Sequence, residues 1–428
     1  MALRLRIEVN QQSDQNPTSP DYERVNIASS SHVITDGHLD GNVIIFMPGN
    51  ETANSSQQYL VEVTFEGHLS AAINLNISTQ LLRLAKNITL LRASDVRELS
   101  QQSTTNNTSS RTILHPFHFN IPQTANFVTS DQYDSTTPLP PSLSFKPMPV
   151  YNSNDLILRG QGRIEYFLKA RLFDHGNCIA ENEAPVTFAP ARECSPPICI
   201  SDFPGEYTLA SSRRVRDRLH RRELYYLSVQ TGEPAPLYLG RSTMVSTVVP
   251  LKWNYRCLAP SQQHANVPDI YATIQTSLRA TTFVSVSPQD RIPLEEDANK
   301  LLDFKLVANT TGTSLTQARK LRIASWEILD GGGPHGKDQT TTTYQAITPL
   351  ILNFDARDYL PPTFTHPYIS RRYSLSLSVS VDVDNSRHAS LRLRVPVQVS
   401  YERGECPIDC REDESFRLDP GILPPYIK

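Results

Sequence analysis

Two stretches of the chain sort their apolar and polar residues with a period of two. In the first, Ile164, Tyr166, Leu168, Ala170 and Leu172 fall on one face, and Glu165, Lys169 and Arg171 fall on the other. In the second, Tyr373, Leu375, Leu377, Val379, Val381 and Val383 interleave with Ser374, Ser376, Ser378, Ser380, Asp382 and Asp384. Only a pleated strand, whose successive side chains point to opposite faces, sorts residues in this way. A diproline leads into each: Leu139-Pro140-Pro141-Ser142 before the first, Leu360-Pro361-Pro362-Thr363 before the second. The same grammar twice in one chain predicts two related all-β domains.

Weaker forms of the pattern fill the remainder. Leu3, Leu5, Ile7 and Val9 alternate with Arg4, Arg6 and Glu8, which predicts an opening strand. Val43 to Met47 reads as a short buried strand broken by Pro48-Gly49-Asn50. Tyr59, Val61, Val63 and Phe65, followed by Ile73, Leu75 and Ile77, predict a hairpin that turns at Gly67-His68. Leu81 to Leu99 reads two ways: Leu81, Leu82, Leu84, Ala85 and Ile88 fit a helical stripe, whereas Ile88, Leu90 and Arg92 fit a strand. The polar stretches Ser100 to Ser110 and Asn126 to Pro138 read as loops. Ala184 to Phe188 is the expected last strand of the first domain, stopped by Pro190. Later strands are expected within Leu237 to Tyr255, Ala280 to Val286 and Leu321 to Leu329. Leu391, Leu393, Val395, Val397 and Val399 form the last one, placed at a sheet edge by Pro396, which cannot donate to a ladder. The expected architecture is all-β: antiparallel β-sandwiches over residues 1–200 and 237–403, a basic linker or hinge over 201–236, and a flexible tail over 404–428.

Composition narrows the function classes. A chain of 428 residues is long enough for two or three domains with real cores. Its 32 prolines against 17 glycines suit strand ends and long loops better than helices. A net charge of −3 provides no global field toward nucleic acid or acidic membranes. No apolar run approaches the roughly 20 residues needed to span a bilayer, and Met1 to Asn10 lacks the apolar region of a secretory signal. An intracellular protein is therefore expected, and the Asn-x-Ser/Thr sites at Asn76, Asn87, Asn107 and Asn309 carry little weight. The six cysteines should then be reduced thiols. Cys194 with Cys199 and Cys406 with Cys410 are too irregularly spaced for a four-thiolate metal site.

The residues present no enzyme signature. Cys257 with His264 and Asp269 is the nearest set of nucleophile and base, but it lies in a loop with no supporting signature. Gly331-Gly332-Gly333-Pro334-His335-Gly336 has the glycines of a phosphate loop without the Gly-Lys-Ser/Thr ending. His115 and His118 flank Phe117 and fall on opposite faces of a strand, away from any metal-ligand spacing. No catalytic residue, cofactor-binding residue or metal ligand is assigned.

Two segments instead suggest docking. Arg213, Arg214, Arg216, Arg218, Arg221 and Arg222 form the only dense charge run. It reads either as a solvated linker or hinge helix, or as a contact for anionic lipid or for phosphorylated or acidic tails, which arginine grips through paired hydrogen bonds. Near the end, Leu423-Pro424-Pro425-Tyr426 fits Leu-Pro-x-Tyr, a variant of the Pro-Pro-x-Tyr ligand of WW domains. Consecutive prolines hold an extended conformation and lose little entropy on docking; Leu423 and Pro424 would fill apolar slots and Tyr426 would anchor the end.

Together, His115-Pro116-Phe117-His118-Phe119-Asn120-Ile121-Pro122, Leu139-Pro140-Pro141-Ser142 and the alternation from Gly162 to Ala170 resemble the signature of the arrestin N-terminal domain. Leu360-Pro361-Pro362, Tyr368-Ile369-Ser370-Arg371-Arg372-Tyr373 and Leu391 to Val399 resemble the last strands of the arrestin C-terminal domain. The chain is most similar to the fungal alpha-arrestins. That resemblance implies two tandem immunoglobulin-like sandwiches in a non-enzymatic cytoplasmic adaptor, peripheral at the plasma membrane or endosomes. Its expected partners are cytoplasmic regions of membrane proteins and the WW domains of a HECT-type ubiquitin ligase, with anionic lipid as a further candidate and no nucleic acid. The alternative is a structural trafficking scaffold, like retromer's arrestin-fold subunit, without ligase binding.

Overall fold

The computed structural model describes residues 3–9, 33–35, 37–48, 59–77, 80–99, 110–128, 134–144, 150–151, 157–192, 195–216, 223–240, 244–258, 267, 270–298, 300, 305–329, 342–355, 359–383 and 387–401. Among these residues there is no α-helix, and only Ile200–Asp202 forms a short 3₁₀ turn. The strands of the first half are β1 (Arg4–Val9), β2 (Val33–Ile34), β3 (His38–Pro48), β4 (Tyr59–Ile77), β5 (Gln80–Glu98), β6 (Ser110–Asn120), β7 (Thr124–Val128), β8 (Asp134–Pro138), β9 (Leu143–Ser144), β10 (Val150–Tyr151), β11 (Ile157–Asp174) and β12 (Asn177–Phe188). Those of the second half are β13 (Ala210–Arg216), β14 (Glu223–Gln230), β15 (Leu237–Leu239), β16 (Met244–Cys257), β17 (Ile270–Ser285), β18 (Leu306–Ile323), β19 (Glu327–Leu329), β20 (Thr343–Asp355), β21 (Ile369–Val383), β22 (Arg387–Val397) and β23 (Val399–Tyr401).

The strands assemble into several sheets with mostly antiparallel pairing. In the first half, β1-β3-β6 faces a larger sheet of order β2-β12-β11-β4-β5, and residues of both meet in one hydrophobic core. In the second half, β13-β14-β16-β20-β19 and β18-β17-β21-β22 share another. The period-two stretches are the spines of these cores. Along β11, Ile164, Tyr166, Leu168, Ala170 and Leu172 are all buried. Outward, Arg171 reaches Glu181 at 3.0 Å and Glu62 at 3.5 Å. β21 likewise buries Tyr373, Leu375, Leu377, Val379 and Val381.

Each diproline segment is tied to the buried tyrosine of its spine. Tyr166 donates its hydroxyl hydrogen to the Pro140 carbonyl at 2.7 Å, and Tyr373 donates to the Pro361 carbonyl. The hydroxyl is the only polar atom a buried tyrosine brings into a core, so a fixed acceptor determines where the ring can sit. The second segment also rests on the first, because Tyr359 donates to the Ser142 carbonyl at 2.8 Å. Beyond this junction β11 packs on β18: Asn309 donates to the Gly160 carbonyl at 3.3 Å, and a Cβ at Gly160 would come within 2.8 Å of Val307.

Several local expectations are corrected. Gly67-His68 is not a turn but a bulge within one long strand, β4, which pairs with β5 along its length. A Cβ on Gly67 would lie 2.5 Å from the Tyr166 ring, so the glycine serves the close approach of that ring. The stretch from Leu81 to Glu98 is strand rather than helix, and it leaves Leu81 and Leu82 exposed because pairing with β4 supplies the order that burial does not. Part of the loop expected over Asn126 to Pro138 is a hairpin, Thr124–Val128 against Asp134–Pro138. Leu321 to Leu329 breaks at Ala324–Trp326, where Ser325 has φ 59°, and its two parts join different sheets as β18 and β19. Pro396 does lie on an edge strand, since β22 ends the sheet order β18-β17-β21-β22, with a single bridge from Arg394 to Thr208 on its outer side.

The two tyrosine anchors yield a measurable expectation. Tyr166→Phe and Tyr373→Phe each leave a buried carbonyl unpaired, which lowers stability by about 1–3 kcal/mol. Urea unfolding should show reduced midpoints at an unchanged slope; midpoints equal to the parent's would refute the anchoring role.

Candidate functional site

The arginine run begins on an edge strand. β13 pairs only with β14, with Arg213 opposite Leu227, Arg214 opposite Tyr226 and Val215 opposite Tyr225. Val215 is buried and anchors the strand, while Arg213 and Arg214 are exposed. The hinge-helix reading is thereby corrected as far as Arg216, which closes the strand opposite Glu223. Arg218, Arg221 and Arg222 lie outside the described residues. Arg214 forms an ion pair with Glu223 at 2.9 Å, whereas Arg213 projects from the outermost strand. Charge on an edge strand resists pairing with a stray strand, and the same charge attracts acidic groups. Exposed contacts of this kind are screened within a Debye length of about 8 Å at physiological salt.

A second group, the buried Arg372 and the half-buried Arg394 with their carboxylates, was not visible as a group in the sequence. The segment crossing from β12 to β13 carries Phe203 and Glu206 into the second half. Glu206 pairs with Arg372 of β21 at 3.0 Å, with both side chains almost fully buried. Arg372 also donates to the Pro293 carbonyl at 2.9 Å and lies between the rings of Phe203 and Phe283, each 4.6 Å from its guanidinium carbon. Glu206 additionally accepts the Glu295 backbone N–H at 2.7 Å. The Glu295 carboxylate takes both terminal nitrogens of Arg394 on β22, one of them at 2.9 Å, and the Thr281 hydroxyl at 3.3 Å. Burial works to raise the Glu295 pKa, but the bonds to Arg394 outweigh it, aided by Thr281 and the charge of Arg372, and hold the group below its ordinary value. Burial chiefly pushes the neighbouring Tyr207 up to about 12. The cluster has every mark of a clamp: it ties the crossing segment to β21, to β22 and to the loop after β17.

The remaining candidates separate. His115 is buried and His118 exposed, on opposite faces of β6 as expected. His118 instead belongs to a surface group that spacing along the chain did not reveal. It bonds Asp40 and, at 3.0 Å, Asn120, and it stacks on His38 with centroids 5.7 Å apart. The hydrogen bond to Asp40 leads the causes that raise its pKa. Among the described residues, no group of three or more His, Cys, Asp or Glu side chains could hold a metal ion. Cys178 and Cys199 are exposed free thiols and Cys257 is half-buried, while Cys194, Cys406 and Cys410 lie outside the described residues. His264, Asp269, the glycine-rich 331–336 stretch, and Leu423, Pro424 and Tyr426 lie outside them as well. No helix among the described residues is long and apolar enough to cross a membrane.

Comparison with protein-family models finds no match, and a search of curated proteins finds no similar sequence.

The buried clamp and the buried histidines give two expectations. Glu206→Gln removes the charge opposing Arg372 and should cost about 3–5 kcal/mol, the range for breaking one partner of a buried pair. Replacing both, Glu206→Leu with Arg372→Met, should recover most of that loss; calorimetry showing the double variant no better than the single would count against the clamp. Burial depresses both His115 and His366, the latter to about 4. These groups are neutral when folded and take up protons when unfolded. Stability should therefore be fully present above about pH 6.5 and fall as pH drops toward 4, by up to about 1.4 kcal/mol per pH unit for each group. His366→Asn should flatten this slope in denaturant titrations at pH 4.5–7.

Proposed function

We propose that the chain is a non-enzymatic, arrestin-like adaptor that docks on cytoplasmic regions of membrane proteins and recruits a HECT-type ubiquitin ligase. The observation that carries the reading is the repeated diproline–tyrosine anchor, Pro140 with Tyr166 and Pro361 with Tyr373, in a nearly all-β chain. These are the residues on which the sequence resembles the two arrestin domains. Fold alone does not choose a function, so the docking elements must. Arg213 and Arg214 stand exposed on an edge strand, where an acidic or phosphorylated tail can approach them. Leu423, Pro424 and Tyr426 supply the ligase-binding motif. Because Pro425 and Tyr426 are adjacent, the stronger Pro-Pro-x-Tyr form is absent, and micromolar affinity or weaker, no stronger than about −8 kcal/mol, is expected.

Two measurements test the proposal. A peptide covering Asp419 to Lys428 should bind WW domains of a HECT ligase from the same cell, and Tyr426→Ala should abolish that binding. Replacing Arg213, Arg214, Arg216 and Arg218 with Gln should weaken binding of acidic tail peptides at low salt. No WW binding, or binding indifferent to Tyr426→Ala, would favour the trafficking-scaffold alternative.

A further inference from the structure

The outward face of the second half departs from the alternation that governs the two spine strands. β11 turns Glu165, Lys169 and Arg171 outward, and β21 turns out serines. On β16 and β20 the inward set, Val249, Leu251, Trp253, Leu350, Leu352 and Phe354, is buried as expected. Yet the outward set is also apolar: Val248 is 47% exposed, Ile347 52% and Ile351 54%. Register makes them neighbours. Val248 stands directly opposite Ile351, Pro250 opposite Pro349, and Lys252 opposite Ile347. Successive outward rows lie roughly 7 Å apart, so the side chains form one continuous patch. An exposed aliphatic patch of this kind marks a contact surface.

The prolines indicate how the patch is met. β14 pairs with β16 only from Lys252 onward, and β19 pairs with β20 only over Thr343–Gln345. Pro250 and Pro349 therefore lie on the stretches that β14 and β19 do not cover. Neither can donate a backbone hydrogen bond to an added strand. An occupant thus comes to the face of this ribbon rather than to its edges.

Charge identifies the occupant. The apolar rows run directly into cations on the same face: Lys252 beside Ile347, then Arg256, whose guanidinium lies 5.8 Å from the Tyr226 ring centre. Tyr226 is in turn opposite Arg214 on β13. The carboxylates on this face stand around the patch: Glu223 is paired with Arg214, Glu327 is opposite Gln345, and Asp355 lies at the far end. Aliphatic side chains bordered by lysine, arginine and tyrosine match the boundary of a bilayer, where acyl chains meet anionic headgroups.

We propose that the outward face of β16 and β20 is a membrane-docking surface, with Val248, Ile347 and Ile351 entering the headgroup boundary of an anionic bilayer and Lys252 and Arg256 meeting its phosphates. This deepens the adaptor reading, and rests on it, by naming the surface that such a protein turns toward the membrane of its cargo.

The test is co-sedimentation of the full chain with phosphatidylcholine vesicles, with and without phosphatidylserine. The parent should bind the phosphatidylserine vesicles. The Val248→Ser, Ile347→Ser, Ile351→Ser variant should bind them roughly ten-fold less, the loss expected from forgoing partial burial of three aliphatic side chains. Lys252→Gln with Arg256→Gln should remove the preference for phosphatidylserine. Ile347→Trp, which needs no loss of function to be read, should bind more tightly and shift its emission to the blue only with vesicles. Parent that binds neither vesicle, serine variants that bind like the parent, or a tryptophan emission unmoved by vesicles would each overturn the proposal. So would a dimer, seen by light scattering, that the serine variant disrupts while vesicle binding is unchanged. Vesicle binding that survives failure of the WW and tail-peptide measurements would sink the adaptor reading and leave this surface standing; the reverse pattern would sink this surface alone.

Discussion

The architecture depends on two buried hydroxyl–carbonyl bonds. A diproline cannot contribute its own N–H groups to a sheet, so its carbonyls are what it offers to the interior. Tyr166 takes up that of Pro140 from the centre of β11, and Tyr373 that of Pro361 from the first third of β21. Each bond fixes the lead-in against its spine, and the strands on either side take their register from that spine. Tyr359 then sets the second lead-in upon the first. Burial deprives all three hydroxyls of water, which makes the loss of an acceptor costly at any of them.

The arginines show the same side chain under opposite energetics. Arg213 sits on an outer strand where water solvates it, so its charge is available to a partner and contributes little to the fold. Arg372 lies out of water, and Glu206, the Pro293 carbonyl and two aromatic faces must replace its hydration. Such a pair is weak evidence for net stability, but removing either partner is destabilising. Its structural consequence is directional: only one placement of the crossing segment brings Phe203 and Glu206 to the same guanidinium.

What was legible in the sequence follows from the range of the forces involved. The β11 and β21 spines were readable because burial on one face imposes strict alternation on neighbouring residues. Leu81 and Leu82 misled because β5 is ordered by its long hairpin partner, which leaves apolar residues in solvent. Gly67 looked like a turn because a glycine needed for close approach of a ring has the same local appearance. The break at Ser325 divides a run that composition alone presented as continuous. The pairing of Glu206 with Arg372 joins residues far apart in the chain, and no local pattern records it. The aliphatic outward face of β16 and β20 was hidden for the opposite reason, since residues apolar on both faces read simply as a buried strand.

The parallel pair of β15 with β23 has a consequence for biosynthesis. Leu237 to Leu239 find their partners at Val399 to Tyr401, the last described strand of the chain. Contacts this distant in sequence close slowly, and they cannot form on the ribosome before the later segment has left the exit tunnel. The core of the first half itself takes in Val284, Phe364, Tyr368 and Ile369, so it is completed only after those late segments emerge, and β15 stays unpaired until synthesis has passed Tyr401. During that interval the nascent chain presents an open strand and the apolar ribbon of β16, the period in which a chaperone has most to protect.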